Sequence, residues 1–234
     1  TDPSPYKLVI APMLYLMRPR VASRIEAFVR KGGVFVTTYW SGIVDENDLC
    51  FLGGRPGPLR KLLGIWSEEL DVLYDDEANA VVMAKGNSLG LKGTYKARIF
   101  CDVVHAEGAQ VLATYGKDFY KGRPALTVNA VGRGEAYYQA SRNDERFLDD
   151  FYGGFIRRLG LKPALDARLP QGVTAQRRTD GKRTFVFLMN FNRQPKSVKM
   201  PAKMQMKDML AGTAVKGTVR LAPYDVRILE TEGA

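Results

Sequence analysis

The sequence has very few residues of the kinds that hold structural metals or disulfides. Its 234 residues include two cysteines, Cys50 and Cys101, and one histidine, His105. A structural zinc site takes about four nitrogen or sulfur ligands, so these three separated residues do not supply one. Two cysteines without CxxC spacing indicate a reducing compartment and no disulfide scaffold. We therefore expect no metal, no cofactor and a cytoplasmic protein.

Long apolar runs are missing as well. No stretch approaches the roughly 18 uninterrupted apolar residues of a membrane span. Residues 1–5 have neither the basic head nor the apolar core of a signal peptide. The sequence predicts no membrane association. A start without Met that runs directly into a core-type strand is expected of a piece of a longer protein.

Positive charge is in excess, with 35 Lys and Arg against 25 Asp and Glu, a formal net charge of +10. Such an excess can mark a nucleic-acid or membrane-binding protein. Here the basic residues are spread along the chain, and no aromatic–basic interleaving of a base-stacking surface occurs. A solvated surface is the favoured interpretation, and we expect no nucleic-acid partner.

The first 40 residues predict a βαβ unit. Residues 7–13 form a short continuous apolar run, typical of a strand that is buried on both faces of a sheet. A helix follows with apolar residues at helical spacing, and Gly32 and Gly33 end it. Residues 34–40 then predict a second buried strand. The helix's apolar residues are Ala22, Ile25, Phe28 and Val29.

Further elements complete a mixed α/β domain that we place at residues 1–163. A short helix is predicted near 59–63 and a longer one from Asp144 to Gly160. Strands separated by turn residues are predicted at 80–84, 95–104, 109–115, 125–131 and 135–141.

Residues 164–172 form a Pro-containing linker, and residues 173–234 predict a small antiparallel all-β domain. Its first two strands are joined by an Asp-Gly step, which favours a tight hairpin turn. Its predicted strands are 173–178, 183–190, 198–200, 217–221 and 226–230.

Three runs of sequence resemble one enzyme family. The first, residues 35–48, contains the specific run Thr-Thr-Tyr-Trp-Ser-Gly. The second comprises residues 105–115, 124–129 and 134–138, and the third residues 187–192 and 221–229. Together they resemble the middle and C-terminal domains of bacterial β-galactosidases of glycoside hydrolase family 42, over nearly the whole chain.

The resemblance implies a fold and a role. In that family a TIM barrel holds both catalytic glutamates, a flavodoxin-like domain similar to class I glutamine amidotransferases mediates trimerisation, and a small β domain ends the chain. Nothing in this sequence supplies the barrel's eight βα units. We therefore expect a non-catalytic, oligomerising part of a retaining enzyme that hydrolyses terminal β-D-galactosides. Its partner would be itself, as a homotrimer, and the galactoside would be bound only through the barrel.

The long connection from 41 to 57 is the candidate site, because α/β folds place function at the carboxyl ends of parallel strands. An interface between subunits, or the substrate funnel of a neighbouring subunit, is the expected role. The candidate residues are Tyr39, Trp40, Ser41, Asp45, Glu46 and Asn47. With Trp66, the aromatic residues Tyr39 and Trp40 also allow a sugar-stacking platform.

Two other functions remain open on the sequence. The C-terminal domain could be an independent carbohydrate-binding module, although its aromatic residues suit a small core better than an exposed row. Ser41 follows a buried strand as a catalytic nucleophile does, which would give an amidotransferase-like enzyme. The first glycine of the G-x-S-x-G motif is missing, however, and such a site would depend on His105.

Overall fold

A βαβ unit opens the chain in the computed structural model, which describes residues 2–202 and 205–231. Strands β1 (Leu8–Ala11) and β2 (Val34–Thr38) pair in parallel, and helix α1 (Val21–Arg30) connects them. Helix α1 buries its apolar face, and all five residues of β2 are buried. A Cβ atom at Gly33 would lie 2.3 Å from the Phe28 ring, so glycine is required there. The predicted βαβ unit is confirmed.

The remaining strands of the first compact unit, Thr1–Leu159, join the same sheet. They are β3 (Ile65–Val72), β4 (Asn79–Met83), β5 (Thr94–Ala106), β6 (Gln110–Tyr115), β7 (Pro124–Val131), β8 (Gly134–Gln139) and β9 (Ser141–Asn143). The strand order is β1-β2-β8-β7-β6-β4-β5-β3, and β9 pairs with β5. Only β1–β2 and β2–β8 are parallel pairs among the described strands.

The predicted flavodoxin-like, glutamine amidotransferase-like α/β domain is therefore wrong. Strands account for 42% of the structure and helices for 14%. A parallel neighbour requires a crossover of a dozen or more residues, usually a helix. None of the connections from β3 to β8 is that long, and every pair among these six strands is antiparallel. The first βαβ unit is therefore not followed by the further βαβ units of a doubly wound sheet.

Two further helices belong to this unit, α2 (Arg60–Leu63), which follows a single turn at Gly57–Leu59, and α3 (Glu145–Arg158). Three phenylalanines four residues apart form the buried face of α3, because residues i and i+4 lie on the same side of a helix. Their rings pack on each other and on Tyr137. They are Phe147, Phe151 and Phe155.

Asp144 caps α3, and we expect its replacement by Ala to destabilise the unit by about 1 kcal/mol. Its Oδ1 accepts a hydrogen bond from the Phe147 N–H at 3.0 Å, which would otherwise lack an intrahelical partner. Urea denaturation followed by fluorescence measures the loss. Asp144→Ser should retain most of the stability, and Asp149→Ala, on the exposed side of α3, is the control. Equal losses in Asp144→Ala and Asp149→Ala would contradict the capping role.

The described residues of the second compact unit, Gly160–Ala234, form two sheets. Five strands pair in the order β10 (Val173–Thr179), β11 (Thr184–Asn190), β16 (Val226–Thr231), β13 (Met206–Asp208), β14 (Ala214–Val215). The other two are β12 (Lys196–Lys199) and β15 (Thr218–Leu221). The predicted Asp-Gly hairpin joins β10 to β11.

A small apolar core fills this second unit. Its fully buried members include Leu188, Val198, Leu221 and Leu229. Leu165, which the sequence places in the linker, is 2% exposed and packs in the same core. The segment before β10 therefore contributes to the packing of this unit.

Candidate functional site

The segments that follow β1 and β2 fold together into one structure, which we call the double loop (residues 12–17 and 39–57). The Gly42 N–H donates to the Leu14 carbonyl at 2.8 Å. Because β1 and β2 are parallel neighbours, their carboxyl ends bring the two segments to the same edge of the sheet. Further backbone hydrogen bonds join Ile43 to Tyr15 and Met17 to Val44.

Tyr39 and Trp40 form the start of the double loop. Tyr39 is buried, and its ring centroid lies 5.4 Å from that of Phe100. Trp40 has a φ of 57°, which turns the chain sharply at the end of β2. Its ring meets Phe100 edge-on at 5.3 Å and Tyr15 at 6.4 Å. Since Tyr39 is buried, the proposed sugar-stacking platform of exposed rings does not form around it.

Ser41 has a structural role in this geometry. Its buried hydroxyl donates to the Thr38 carbonyl at 2.7 Å. The ring nitrogens of His105 have other partners, Glu68 at 2.7 Å and Arg123 at 3.1 Å. The serine and the histidine of an amidotransferase-like site are thus each engaged elsewhere, and the geometry does not support nucleophilic catalysis.

Of the three polar candidates, one stabilises a turn of the double loop and two are exposed on it. Asp45 accepts hydrogen bonds at its Oδ1 from the N–H groups of Asn47 (2.8 Å) and Leu49 (3.1 Å). This side chain therefore fixes the turn that follows it. Glu46 and Asn47 are exposed to solvent on that turn. Of the six candidates, these two are the ones that a partner can reach most directly.

Large apolar side chains are exposed on the double loop, and we call them the apolar rim. Leu52 is 99% exposed and Leu49 is 64% exposed. The other members are Met13, Tyr15 and Leu16, each about 40% exposed. Exposed apolar patches on soluble proteins commonly mark interaction sites. Sequence analysis missed the three members after β1, although the apolar run continues beyond that strand to Met17.

A buried carboxylate lies beneath the double loop. Asp102 of β5 accepts hydrogen bonds at Oδ2 from the Tyr138 hydroxyl and, at 3.4 Å, from the Trp40 N–H. Its Oδ1 is buried without a partner among the described residues. Burial raises the pKa of Asp102 to about 6, although the Tyr138 hydrogen bond and the charge of Arg55 act in the opposite direction. A carboxylate within the otherwise apolar run 99–104 was the signal that sequence analysis did not use.

Trp66 is packed against protein side chains. Its ring stacks on His105 with centroids 4.7 Å apart, and the Arg60 guanidinium lies 5.8 Å from its centroid. Arg60 in turn forms an ion pair with Glu107. This arrangement favours a packing role over a sugar contact.

Residues 2–202 and 205–231 contain no candidate metal cluster and no bilayer-spanning helix. No three His, Cys, Asp or Glu side chains there are grouped so as to hold a metal ion. None of the described helices has the length and apolar character needed to span a bilayer.

Comparison with known proteins identifies the family. Residues 1–162 match the family model of the β-galactosidase trimerisation domain, and residues 172–231 match that of the β-galactosidase C-terminal domain. The chain belongs to the β-galactosidases of glycoside hydrolase family 42. The resemblance found in the sequence is confirmed, and these two domains are the non-catalytic portion of such an enzyme.

Curated relatives in the family are similar over nearly all of the chain. β-Galactosidase Pbg of Clostridium perfringens is 57% identical over 228 residues, which cover 97% of this chain and 33% of the relative. β-Galactosidase BglY of Alicyclobacillus acidocaldarius is 50% identical over 96% of this chain and 33% of its own length. The chain thus spans about a third of the length of the curated relatives it matches.

Solved structures show the same fold. The cold-adapted β-galactosidase from Rahnella sp. R3 has a TM-score of 0.86 and 49% identity, over 100% of this chain and 33% of that one. The β-galactosidase from Bacillus circulans sp. alkalophilus has a TM-score of 0.87 and 43% identity, over 99% and 34%. The mixed, mostly antiparallel sheet is therefore shared with family structures.

Proposed function

We propose that this chain is the oligomerising and structural portion of a longer, cytoplasmic β-galactosidase that hydrolyses terminal β-D-galactosides. The family membership of both domains supports this role, together with coverage of about a third of the relatives. The proposed domains are residues 1–163 and 173–234, joined by 164–172. The galactoside would be bound by the catalytic barrel of the longer enzyme, without a cofactor.

The observation that carries this proposal is the apolar rim. Burying an exposed leucine side chain contributes roughly 1.5–3 kcal/mol, so Leu49 and Leu52 together can supply much of the energy of a contact. Their place at the carboxyl edge of two parallel strands gives the contact a rigid support. We propose a homotrimer, in which the rim of each subunit meets a different surface of its neighbour and the ring closes after three copies.

The loop candidates have distinct proposed roles in that contact. Tyr39 and Ser41 hold the backbone of the double loop through buried contacts, and Asp45 holds its turn. Glu46 and Asn47 would contact the neighbouring subunit. Trp40, which is partly exposed, would lie closest to the substrate funnel of the neighbour's barrel.

Replacing Leu49 and Leu52 by Asp is expected to abolish self-association. A charge at each position would have to be desolvated in the contact, which costs more than the apolar burial contributes. Light scattering coupled to size exclusion measures the mass. We expect a trimer for the unmodified chain at micromolar concentration and a 26.1 kDa monomer for the variant.

The matched control places Asp at two exposed apolar positions of the second unit, Phe191 and Leu210. That variant should keep the mass of the unmodified chain. A monomeric unmodified chain, or a Leu49→Asp/Leu52→Asp variant of unchanged mass, would refute the proposal.

A further inference from the structure

The excess positive charge is concentrated in the second unit. Residues 160–234 contain 14 Lys and Arg against six Asp and Glu, whereas residues 1–159 contain 21 against 19. Nearly all of the net charge of the chain therefore lies in its last third. The positive charge is therefore not distributed evenly along the chain, in contrast to the interpretation from the sequence.

Much of this charge surrounds one cavity of about 1,120 Å³, which we call the basic groove. It lies among the ends of β12, β13, β14 and β15 and the turn between β10 and β11. None of its lysines forms an ion pair among the residues that the structure describes. Its cationic side chains are Lys182, Arg183, Lys199, Lys207 and Lys216, and Glu230 is its one acidic residue among the described lining.

The floor of the basic groove is aliphatic. Met200 and Met206 are buried beneath it, and Val215 lines its side. No aromatic ring is among the described lining residues, so stacking on sugars or bases is not provided. Methionine-lined surfaces adapt well to apolar peptide side chains. The groove therefore suits an acidic polypeptide segment that also carries apolar residues.

The first unit presents such a segment, which we call the acidic tip (residues 69–77). No Lys or Arg occurs between Lys61 and Lys85, although six Asp and Glu lie in that stretch. The tip continues from β3, the last strand of the sheet, into a turn in which the Glu77 N–H donates to the Tyr74 carbonyl at 3.0 Å. Val72 is 57% exposed and Tyr74 is 77% exposed on it.

We propose that the basic groove of one copy of the chain binds the acidic tip of a second copy. Carboxylates of the tip, such as Asp75 and Asp76, would meet the groove lysines, while Val72 and Tyr74 would cover its aliphatic floor. Tip and groove are different surfaces, so the contact is of the head-to-tail kind, which gives a ring when the rotation between copies closes. This inference rests on the self-association proposed above and names a second contact for it.

Charge reversal tests the pairing. The groove variant carries Lys199→Glu, Lys207→Glu and Lys216→Glu, and the tip variant carries Glu69→Lys, Asp75→Lys and Asp76→Lys. All six positions are exposed, so both variants should fold. Measured by sedimentation equilibrium, each variant should associate about tenfold or more weakly than the unmodified chain, because like charges then oppose each other.

Rescue is the decisive measurement. A chain with all six substitutions pairs opposite charges again, and its association should return to within about threefold of the unmodified value. The matched control, Arg177→Glu, Arg178→Glu and Arg193→Glu, changes the net charge equally outside the groove and should leave association within about threefold. Raising NaCl from 50 to 500 mM should weaken the unmodified contact.

Several outcomes would overturn this inference. The groove variant could match the control, or the six-fold variant could fail to recover. A labelled peptide of residues 68–78 could bind the groove while charge reversal leaves self-association unchanged, which would assign the groove to another protein's acidic segment. If the Leu49→Asp/Leu52→Asp variant dissociates and the charge-reversal variants do not, the proposed function is supported and the tip–groove contact is refuted. An unmodified chain that is monomeric at every concentration tested would refute both the proposed function and the tip–groove contact.

Discussion

Raising the pH from 4 to 7 is expected to destabilise the first unit by about 2 kcal/mol through Asp102 alone. Its pKa is about 6 in the folded chain, compared with an ordinary value of 3.8. Between these values the folded chain holds a proton that the unfolded chain has released. Stability from this group is therefore complete only at pH values below 3.8 and is lost as the pH rises through 6.

The variant Asp102→Asn isolates this effect, because an amide stays neutral and its oxygen can still accept the hydrogen bond of the Tyr138 hydroxyl. Both tryptophans of the chain, Trp40 and Trp66, lie in the first unit, so tryptophan fluorescence during urea denaturation reports on that unit. The free energy of unfolding of the variant, relative to the unmodified chain, should rise by about 2 kcal/mol between pH 4 and pH 7.

An exposed aspartate provides the comparison. Asp149→Asn removes one carboxylate from the surface of α3 and should leave the pH dependence unchanged. Other carboxyl groups titrate equally in both proteins and cancel in the difference. A difference between Asp102→Asn and the unmodified chain that is the same at pH 4 and pH 7 would contradict the raised pKa.

Phe151→Ala should cost about 3–5 kcal/mol of the free energy of unfolding of the first unit. The Phe151 side chain is fully buried. Its ring stacks on Phe147 with centroids 5.2 Å apart and meets Phe155 edge-on at 5.0 Å. Truncation leaves a cavity among these rings and removes their favourable pairing.

The same fluorescence-monitored denaturation measures this loss at fixed pH. Ile156→Ala, on the same helix but 49% exposed, should change stability by less than about 1 kcal/mol. Similar losses for the two variants would mean that α3 does not anchor the core through its phenylalanine face.

Sequence patterns predicted most of the strands and helices but not the architecture. The apolar runs at β1 and β2 and the periodicity of α3 follow directly from burial, so they were visible. Strand direction depends on the length of the connections and on which strands meet in space, and the apolar pattern does not contain this information. The flavodoxin-like assignment failed for that reason.

Strand β3 was missed because its sequence does not alternate regularly. Glu68 and Glu69 interrupt it, and the register with β5 shifts between Ser67 and Glu69. Such a bulge moves side chains to the other face, so the period-two signal disappears. Short strands such as β14, with two residues, leave almost no pattern at all.

The candidate site could be located from the sequence but not resolved into roles. The long, glycine-rich connection after β2 identified the double loop. Its partner segment after β1, and the carboxylate of Asp102 beneath it, come from distant parts of the chain. Only the tertiary structure shows that Ser41 is a buried hydrogen-bonding residue and that Leu52 is the most accessible apolar side chain.

The pairing of β2 with β8 has a consequence for synthesis on the ribosome. It joins Val34 to Glu135, residues about a hundred positions apart. Until β8 emerges, one edge of strand β2, whose five residues are all buried in the folded chain, stays unpaired and can pair with wrong partners. The first unit can complete its sheet only after most of its length has been translated, so chaperone binding to β2 would protect it during that interval.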